Sequence, residues 1–434
     1  MAERPVLWDV VEEHLDEAGF LWERWERALL SPSLRARQVA DGDEARLLAH
    51  VDGLVVAGPR AIDRLLEPAL RQGEPGAAAA AAHALLELPG GLARWRAVHA
   101  GGAGARRHSM ARALALSRRP SEPELTALLS DGHPWAVVAG LEALALRRID
   151  AGPSLSGLLA SRDPALAAAA LHAAPWSNQP VRALIERALE RPEAAVREAA
   201  LEAGLRLGFG TALTACRRLV EGQEPVADRA LALLALGGDA DDEPLLLRAA
   251  AVSSLRAPAL VALGYAGRVG AVEVLLGAME QEPREARLAG EAFTAITGIP
   301  IAGELVAEAE PASEPSSLEA DDLDADLAPT PEAELPVPEP HAVARAWSAR
   351  TKAFDSARRY LLGSPFTAEG LLRAFAESPM RRRALLALEL AVRSGGGYAV
   401  EPRDFAFQQL RSAQRQERTT FPGGSLPFSR LLRS

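Results

Sequence analysis

The chain has 434 residues, of which 48% are hydrophobic but only 5% aromatic, and its formal net charge is −10. Ala and Leu carry most of the apolar content, which suits closely packed helices better than sheets, whose strands favour β-branched and aromatic residues. No apolar run reaches the roughly 18–20 residues needed to cross a bilayer, and the one cysteine, Cys216, excludes an internal disulfide framework and a thiolate metal cluster.

The opening Met1-Ala2-Glu3-Arg4-Pro5 lacks the basic-then-apolar design of a secretory signal, so a cytoplasmic location is expected. Lys352 is the one lysine against 47 arginines, a usage that points to a GC-rich bacterial source rather than to a mechanism. Charge is segregated along the chain. Residues 303–340 hold twelve acidic residues and no Lys or Arg, whereas residues 341–434 hold sixteen basic and seven acidic ones. That leaves the first 302 residues at about −7, a statement about partners and solubility rather than about fold.

Residues 1–72 are expected to form an N-terminal helical cap. Trp8, Val11, Leu15, Ala18, Trp22, Trp25 and Leu29 recur at helical spacing and give one apolar stripe. Ser31-Pro32-Ser33 breaks it, a second helix is expected over Asp43 to Val56, and a third begins near Ala61. Larger, more aromatic contacts suit an end unit, which is buried on one side only.

Residues 73–302 repeat one unit, a proline or acidic turn followed by a small-residue helix. The helix ends Leu88, Leu116, Leu146, Ala174, Leu207, Leu236, Leu263 and Thr297 are separated by 28, 30, 28, 33, 29, 27 and 34 residues. A recurring spacing near thirty is the signature of stacked helical repeats. The turns carry His133-Pro134, Asp163-Pro164, Arg191-Pro192, Glu224-Pro225 and Glu282-Pro283, and proline suits a first helical turn because its missing N–H would be unpaired there. A second helix per unit is expected, for instance over Thr211–Val220 and Ala271–Met279. The fold class predicted is all-α, a solenoid of stacked helical hairpins.

The run Pro192-Glu193-Ala194-Ala195-Val196-Arg197-Glu198-Ala199-Ala200-Leu201 resembles the second-helix signature of HEAT repeats, particularly the short bacterial HEAT-like type. Other copies are degenerate, as at Arg256-Ala257-Pro258, which lacks the acidic start. A second resemblance is carried by His14-Leu15-Asp16-Glu17-Ala18 with Leu21-Trp22, and by Arg46-Leu47-Leu48-Ala49-His50-Val51-Asp52-Gly53-Leu54-Val55-Val56-Ala57-Gly58. These segments are similar to an uncharacterised proteobacterial family of about 400 residues whose members are associated with type VI secretion loci. The resemblance implies a secretion-linked accessory role and no known chemistry.

Residues 303–340 alternate acids with Pro, Ala and Ser. Such a segment cannot bury enough apolar area to offset its ordering entropy, so a disordered or loosely draped linker is expected. Residues 341–434 are expected to form a basic C-terminal helical domain, with helices over Val343–Leu362, Ala368–Glu377, Arg381–Arg393 and Pro402–Gln414 and an irregular tail from Arg418. Met380 to Leu390 resembles one more repeat helix, so this part is expected to resume or cap the solenoid.

Candidate chemistry is sparse. His14 with Asp16 and Glu17, and His50 with Asp52, offer imidazole and carboxylate of the kind a divalent ion takes. Residues two apart on a helix do not share a face, however, and hydrogen bonding between the first helices is the favoured reading. Cys216 has no histidine near in sequence to activate it and is read as a small core hydrophobe. Gly-x-Ser-x-Gly and Gly-x4-Gly-Lys are missing. Gly101-Gly102-x-Gly104 and Gly395-Gly396-Gly397 lack the strand-then-helix context of a phosphate cradle and are read as loops.

The residues marked for partner binding are Trp22, Trp25, Trp135 and Trp176, as aromatic hot spots, and Arg358, Arg359, Arg381, Arg382 and Arg383, as a basic patch. The acidic balance of the repeats disfavours nucleic acid. The function expected is a non-enzymatic scaffold or adaptor that grips another protein, a type VI secretion component or effector, in its concave face, with no cofactor and no bound metal. An intramolecular contact between the acidic linker and residues 341–434 is also expected. The alternative is an enzyme of the HEAT-like lyase or DNA-glycosylase type.

Overall fold

The computed structural model describes residues 6–308, 330–416 and 418–433. Helix Trp8–Ala28 packs against both Ala45–Ala57 and Pro75–Glu87. The first two run antiparallel, since Arg24 meets Asp43 at 3.0 Å while His14 meets His50. The second cap helix starts earlier than Asp43: it opens at Ala36 and passes through a wide turn at Ala40–Glu44 before continuing as Ala45–Ala57. Gly42, whose φ and ψ are −101° and −117°, makes the kink.

From Pro75 onward the chain forms two rows. One row is Pro75–Glu87, Gly104–Leu116, Pro134–Arg147, Pro164–Ala173, Ala194–Arg206, Ala227–Gly237, Arg256–Ala266 and Pro283–Thr297. Successive members pack on one another, and Trp8–Ala28 stacks on the first of them. The second row consists of the intervening helices Gly91–Gly101, Glu122–Leu128, Leu155–Leu159, Arg182–Ala188, Gly210–Glu221, Glu243–Ala250 and Val272–Met279, each packed on the first-row helix that follows it. The first row ends within three residues of the repeat markers in the sequence. Pro134, Pro164 and Pro283 open helices as expected, whereas Pro192 and Pro225 lie two residues ahead of theirs. The result is an all-α solenoid of stacked helical hairpins. Its seam is built of Ala and Leu, with Ala78, Ala79, Ala80, Leu85, Leu114, Leu141, Leu201, Leu233 and Leu260 among the fully buried residues.

The acidic segment is held at both ends. Val306 pairs antiparallel with Pro338, Ala307 N–H donates to the Val337 carbonyl at 2.9 Å, and Glu339 N–H donates to the Leu305 carbonyl at 2.8 Å. The expectation of a loosely draped linker therefore does not hold for residues 303–308 and 330–340, whereas residues 309–329 lie outside the described residues. Helix Pro340–Ser348 then packs on Val272–Met279 and extends the second row.

Residues 341–434 do not stand apart as a domain. The helix expected over Val343–Leu362 stops at Ser348, and the chain turns into a small antiparallel hairpin in which Tyr360–Leu361 pairs with Ser364–Pro365. Two causes are local. The Asp355 carboxylate accepts from Ala357 N–H while Tyr360 Oη accepts from Asp355 N–H, which holds a turn rather than a helix. Leu362 and Gly363 both adopt positive φ, 51° and 79°, the conformation of a two-residue hairpin turn. Ala368–Glu377 and Met380–Arg393 follow, then Ala406–Arg415, which starts four residues later than expected, and a short helix Phe428–Leu431. The tail, though irregular, is pinned: Arg433 N–H donates to the Gly208 carbonyl at 2.7 Å and its carbonyl accepts from Gly210 N–H at 2.8 Å.

Candidate protein-interaction surfaces

The first-row helices end in carbonyls that need partners, and for the last three of the row the C-terminal chain supplies donors. Tyr360 N–H donates to the Gly267 carbonyl at 2.7 Å, and Leu362 and Gly363 donate to Ala295 and Ile296 at 2.7 and 3.0 Å. The strand approaches so closely that a Cβ on Gly267 would lie 2.2 Å from the Tyr360 carbonyl, and one on Gly298 would lie 2.6 Å from that of Leu362. Both glycines also have positive φ. Arginines continue the pattern, since a cation is favoured at a helix C-terminus. Arg359 donates to the Tyr265 carbonyl at 2.7 Å, Arg268 to Gly238 at 2.9 Å, Arg393 to Leu236 at 3.5 Å, and Arg147 to Ser117 and Pro120.

Arg359 and Arg393 share one carboxylate. Glu389 is fully buried and binds Arg359 at 2.5 Å and Arg393 at 2.7 Å. Burial alone would push its carboxyl up, but the two guanidiniums outweigh it and hold the pKa below the usual range.

A second junction lies at the cap. Phe405 enters a cluster with Trp25, His83 and Trp22, at ring-centroid distances of 4.8, 5.6 and 6.4 Å. Beside it the buried Glu44 carboxylate accepts from Trp25 Nε1 at 2.7 Å and from the backbone N–H groups of Ala406 and Phe407 at 2.5 and 2.8 Å. Burial raises the Glu44 pKa despite these donors. Nothing in the acidic run Asp41-Gly42-Asp43-Glu44 separates Glu44 from its neighbours, so sequence reasoning missed it.

Between these junctions, a cavity of about 170 Å3 is lined by His172, Trp176, Glu202, Arg206, Arg229 and Arg403, among others. His172 Nδ1 lies 2.8 Å from Glu142, and Arg403 reaches Glu401 at 2.9 Å and Glu142 at 3.5 Å. Burial opposes charge on His172, yet its hydrogen bond to Glu142 and that carboxylate's field raise its pKa.

The marked residues separate into three groups. Trp22 and Trp25 are buried, as are Arg382 and Arg383, so they present no exposed face. Arg383 donates to the Phe375 carbonyl at 2.6 Å and to Gln409 at 3.0 Å, and burial pushes its pKa down to about 10. Arg359 and Arg381 are ion-paired inside the chain, Arg381 with Glu291 at 3.3 Å and with Glu332 at 3.6 Å. The basic run thus serves the chain's own carboxylates and carbonyls. Arg358, facing Asp355 at 3.4 Å, is exposed; Trp135 is 41% exposed and Trp176 half-buried.

His14 and His50 meet each other, Nδ1 to Nδ1 at 3.0 Å, with rings edge to face, while Asp16 and Asp52 are exposed. Cys216 is buried on Gly210–Glu221 and burial pushes its thiol up to about 12, so it stays protonated at neutral pH. Among the described residues, no group of three or more His, Cys, Asp or Glu side chains gathers in a way that could hold a metal ion, and no helix is long and apolar enough to cross a membrane.

The fold and its junctions define an α-solenoid whose first row is lined by its own C-terminal chain. No protein-family model matches the sequence, and no curated protein matches it. Among solved structures, the chain is similar to an engineered protein from the Northeast Structural Genomics Consortium at 15% identity. That match covers 94% of this chain and 98% of the other, with a TM-score of 0.30. It is also similar to a chain from the structure of Kap95p with RanGDP at 13% identity, covering 89% of this chain and 57% of the other, with a TM-score of 0.29. No residue role is carried over from either.

Proposed function

We propose that the protein is a non-enzymatic scaffold or adaptor that binds another protein through its N-terminal cap, as an accessory of type VI secretion. One observation carries the reading. The outer end of a solenoid normally presents a polar face to water, yet here Val56 is 86%, Leu7 69% and Val10 44% exposed. Because Trp8–Ala28 and Ala45–Ala57 run antiparallel with His14 beside His50 and Gly53, Val56 lies level with Val10 and Leu7, at one end of the cap. Exposed apolar side chains gathered in this way mark contact sites. The type VI assignment rests on the resemblance of the same two helices, through residues 14–22 and 46–58, to the secretion-associated family. The first row is lined by the chain's own C-terminal residues, so the grip is placed on the cap.

The test is capture with the full-length protein and with a Val10→Glu, Val56→Glu variant, in a bacterium that carries a type VI apparatus. A type VI component should co-purify with the native chain and be reduced at least about tenfold by the variant, a loss of about 1.4 kcal/mol or more. Recovery of the same component in equal yield with both chains, or of none with either, would overturn the proposal.

A further inference from the structure

A second surface lies in the repeats themselves. Between Glu87 and Glu122 the chain runs for 34 residues without one Asp or Glu, and this window holds seven arginines and two histidines. Its flanks are acidic: residues 1–87 carry nine basic against sixteen acidic residues, and residues 122–302 sixteen against twenty-three. Summed over the first 302 residues, this island of positive charge disappears.

The structure shows which of these cations are already engaged. Arg94 faces Asp63 and Glu67, Arg96 faces Asp131, Arg112 faces Glu26, and Arg118 faces Asp404. Arg106, Arg107 and the exposed Arg119 have no carboxylate within ion-pair distance among the described residues, and the Nε atoms of the first two are buried without a hydrogen-bond partner. Arg106 and Arg107 sit in the first turn of Gly104–Leu116, and the Arg107 guanidinium lies 4.8 Å over the ring of Trp135. Trp135, at 41% exposure, opens the next first-row helix. His133, just ahead of it, leaves Nδ1 without a partner. The buried His99 lies close by, and desolvation together with the field of Arg107 lowers its pKa to about 4, so at neutral pH it adds no charge.

We infer that Arg106, Arg107 and Trp135 form a docking site for a short acidic segment of a partner protein. An indole backed by a guanidinium offers an apolar plate with charge behind it, the pairing enriched at protein hot spots. The unmatched arginines call for carboxylates, and Arg can take one through two N–H groups at once. A nucleic acid is the poorer occupant, because an extended polyanion would run onto flanks that are each seven charges negative. This surface lies on different helices from the exposed cap, and its test does not touch Leu7, Val10 or Val56.

The experiment measures fluorescence anisotropy of a labelled eight-residue glutamate peptide with the full-length protein at low salt. Arg106→Glu with Arg107→Glu should weaken binding at least about tenfold, and Trp135→Ala several-fold. These acids fall in a helix first turn, where negative charge favours the helix; if that variant nonetheless fails to fold, Arg107→Gln with Trp135→Ala carries the test. Arg373→Glu, an exposed arginine on another helix, should leave binding unchanged, and raising the salt should abolish it. Three results would overturn the inference: no binding or equal binding by all variants, tighter binding of an eight-nucleotide oligo-dT than of the peptide, or a tenfold gain when the acids of 309–329 are neutralised. The last would show that the chain itself occupies the site.

Discussion

Glu389 is buried between two guanidiniums that themselves satisfy helix-end carbonyls. Removing one partner of a buried ion pair costs far more than the pair contributes, because a charge is left in a dry site. Glu389→Gln should lower stability by about 3–5 kcal/mol, read as a shift in the urea midpoint. The same group gives a pH dependence of definite sign. Its folded pKa is depressed below the ordinary 4.5, so its stabilisation is complete above that value and is lost as pH falls through the lower folded value. Glu142, Glu202 and Glu401 are shifted the same way, whereas Glu44 is shifted upward and opposes them. Urea midpoints should therefore drop between about pH 5 and pH 3, and less so in Glu389→Gln. An equal drop in both proteins would place the acid sensitivity elsewhere.

At the scale of the element, the first-row helices were legible because each ends within three residues of a recurring Leu, Ala or Thr and most begin at a proline or acidic turn, Gly104–Leu116 being an exception. The C-terminal path was not. Val343–Leu362 has helical composition, and its sequence does not show that Phe354 and Tyr360 join Trp347 in one aromatic ladder, at 5.2 and 4.8 Å, once the helix has stopped at Ser348. Trp22 and Trp25 were correctly placed on an apolar stripe, but the stripe could not reveal that Phe405, some 380 residues away, completes their cluster. Arg381-Arg382-Arg383 read as a surface patch because its partners Glu291, Glu332 and Gln409 are distant in sequence. Phe405→Ala should cost about 3–5 kcal/mol and speed amide exchange in 398–415. Gly267→Ala should cost about 1–3 kcal/mol, since its positive φ and the Tyr360 carbonyl leave no room for a Cβ. Denaturant titration checks both, and an unchanged Gly267→Ala midpoint would mean that the strand does not pass there.

For the whole molecule, the C-terminal chain ties the two ends of the solenoid together. Met380 and Arg381 donate to the carbonyls of Leu34 and Ser31 in the cap at 2.8 and 3.1 Å, while Arg381 holds Glu291 on the last first-row helix. Glu334 adds 3.0 Å contacts to Ser31 and Ser33. A solenoid tied in this way cannot open along its first row without breaking these bonds, and the two surfaces proposed for partners, the apolar cap and the Trp135 edge, lie away from them. Hydrogen–deuterium exchange on the full-length protein tests this most directly. The amides of Tyr360, Leu362, Gly363, Met380, Arg381, Ala406 and Phe407, all bonded to solenoid or cap carbonyls or to Glu44, should exchange as slowly as those of Ala227–Gly237 and Arg256–Ala266. Exchange of those amides at the rate of unstructured chain, with the first-row helices still protected, would contradict it.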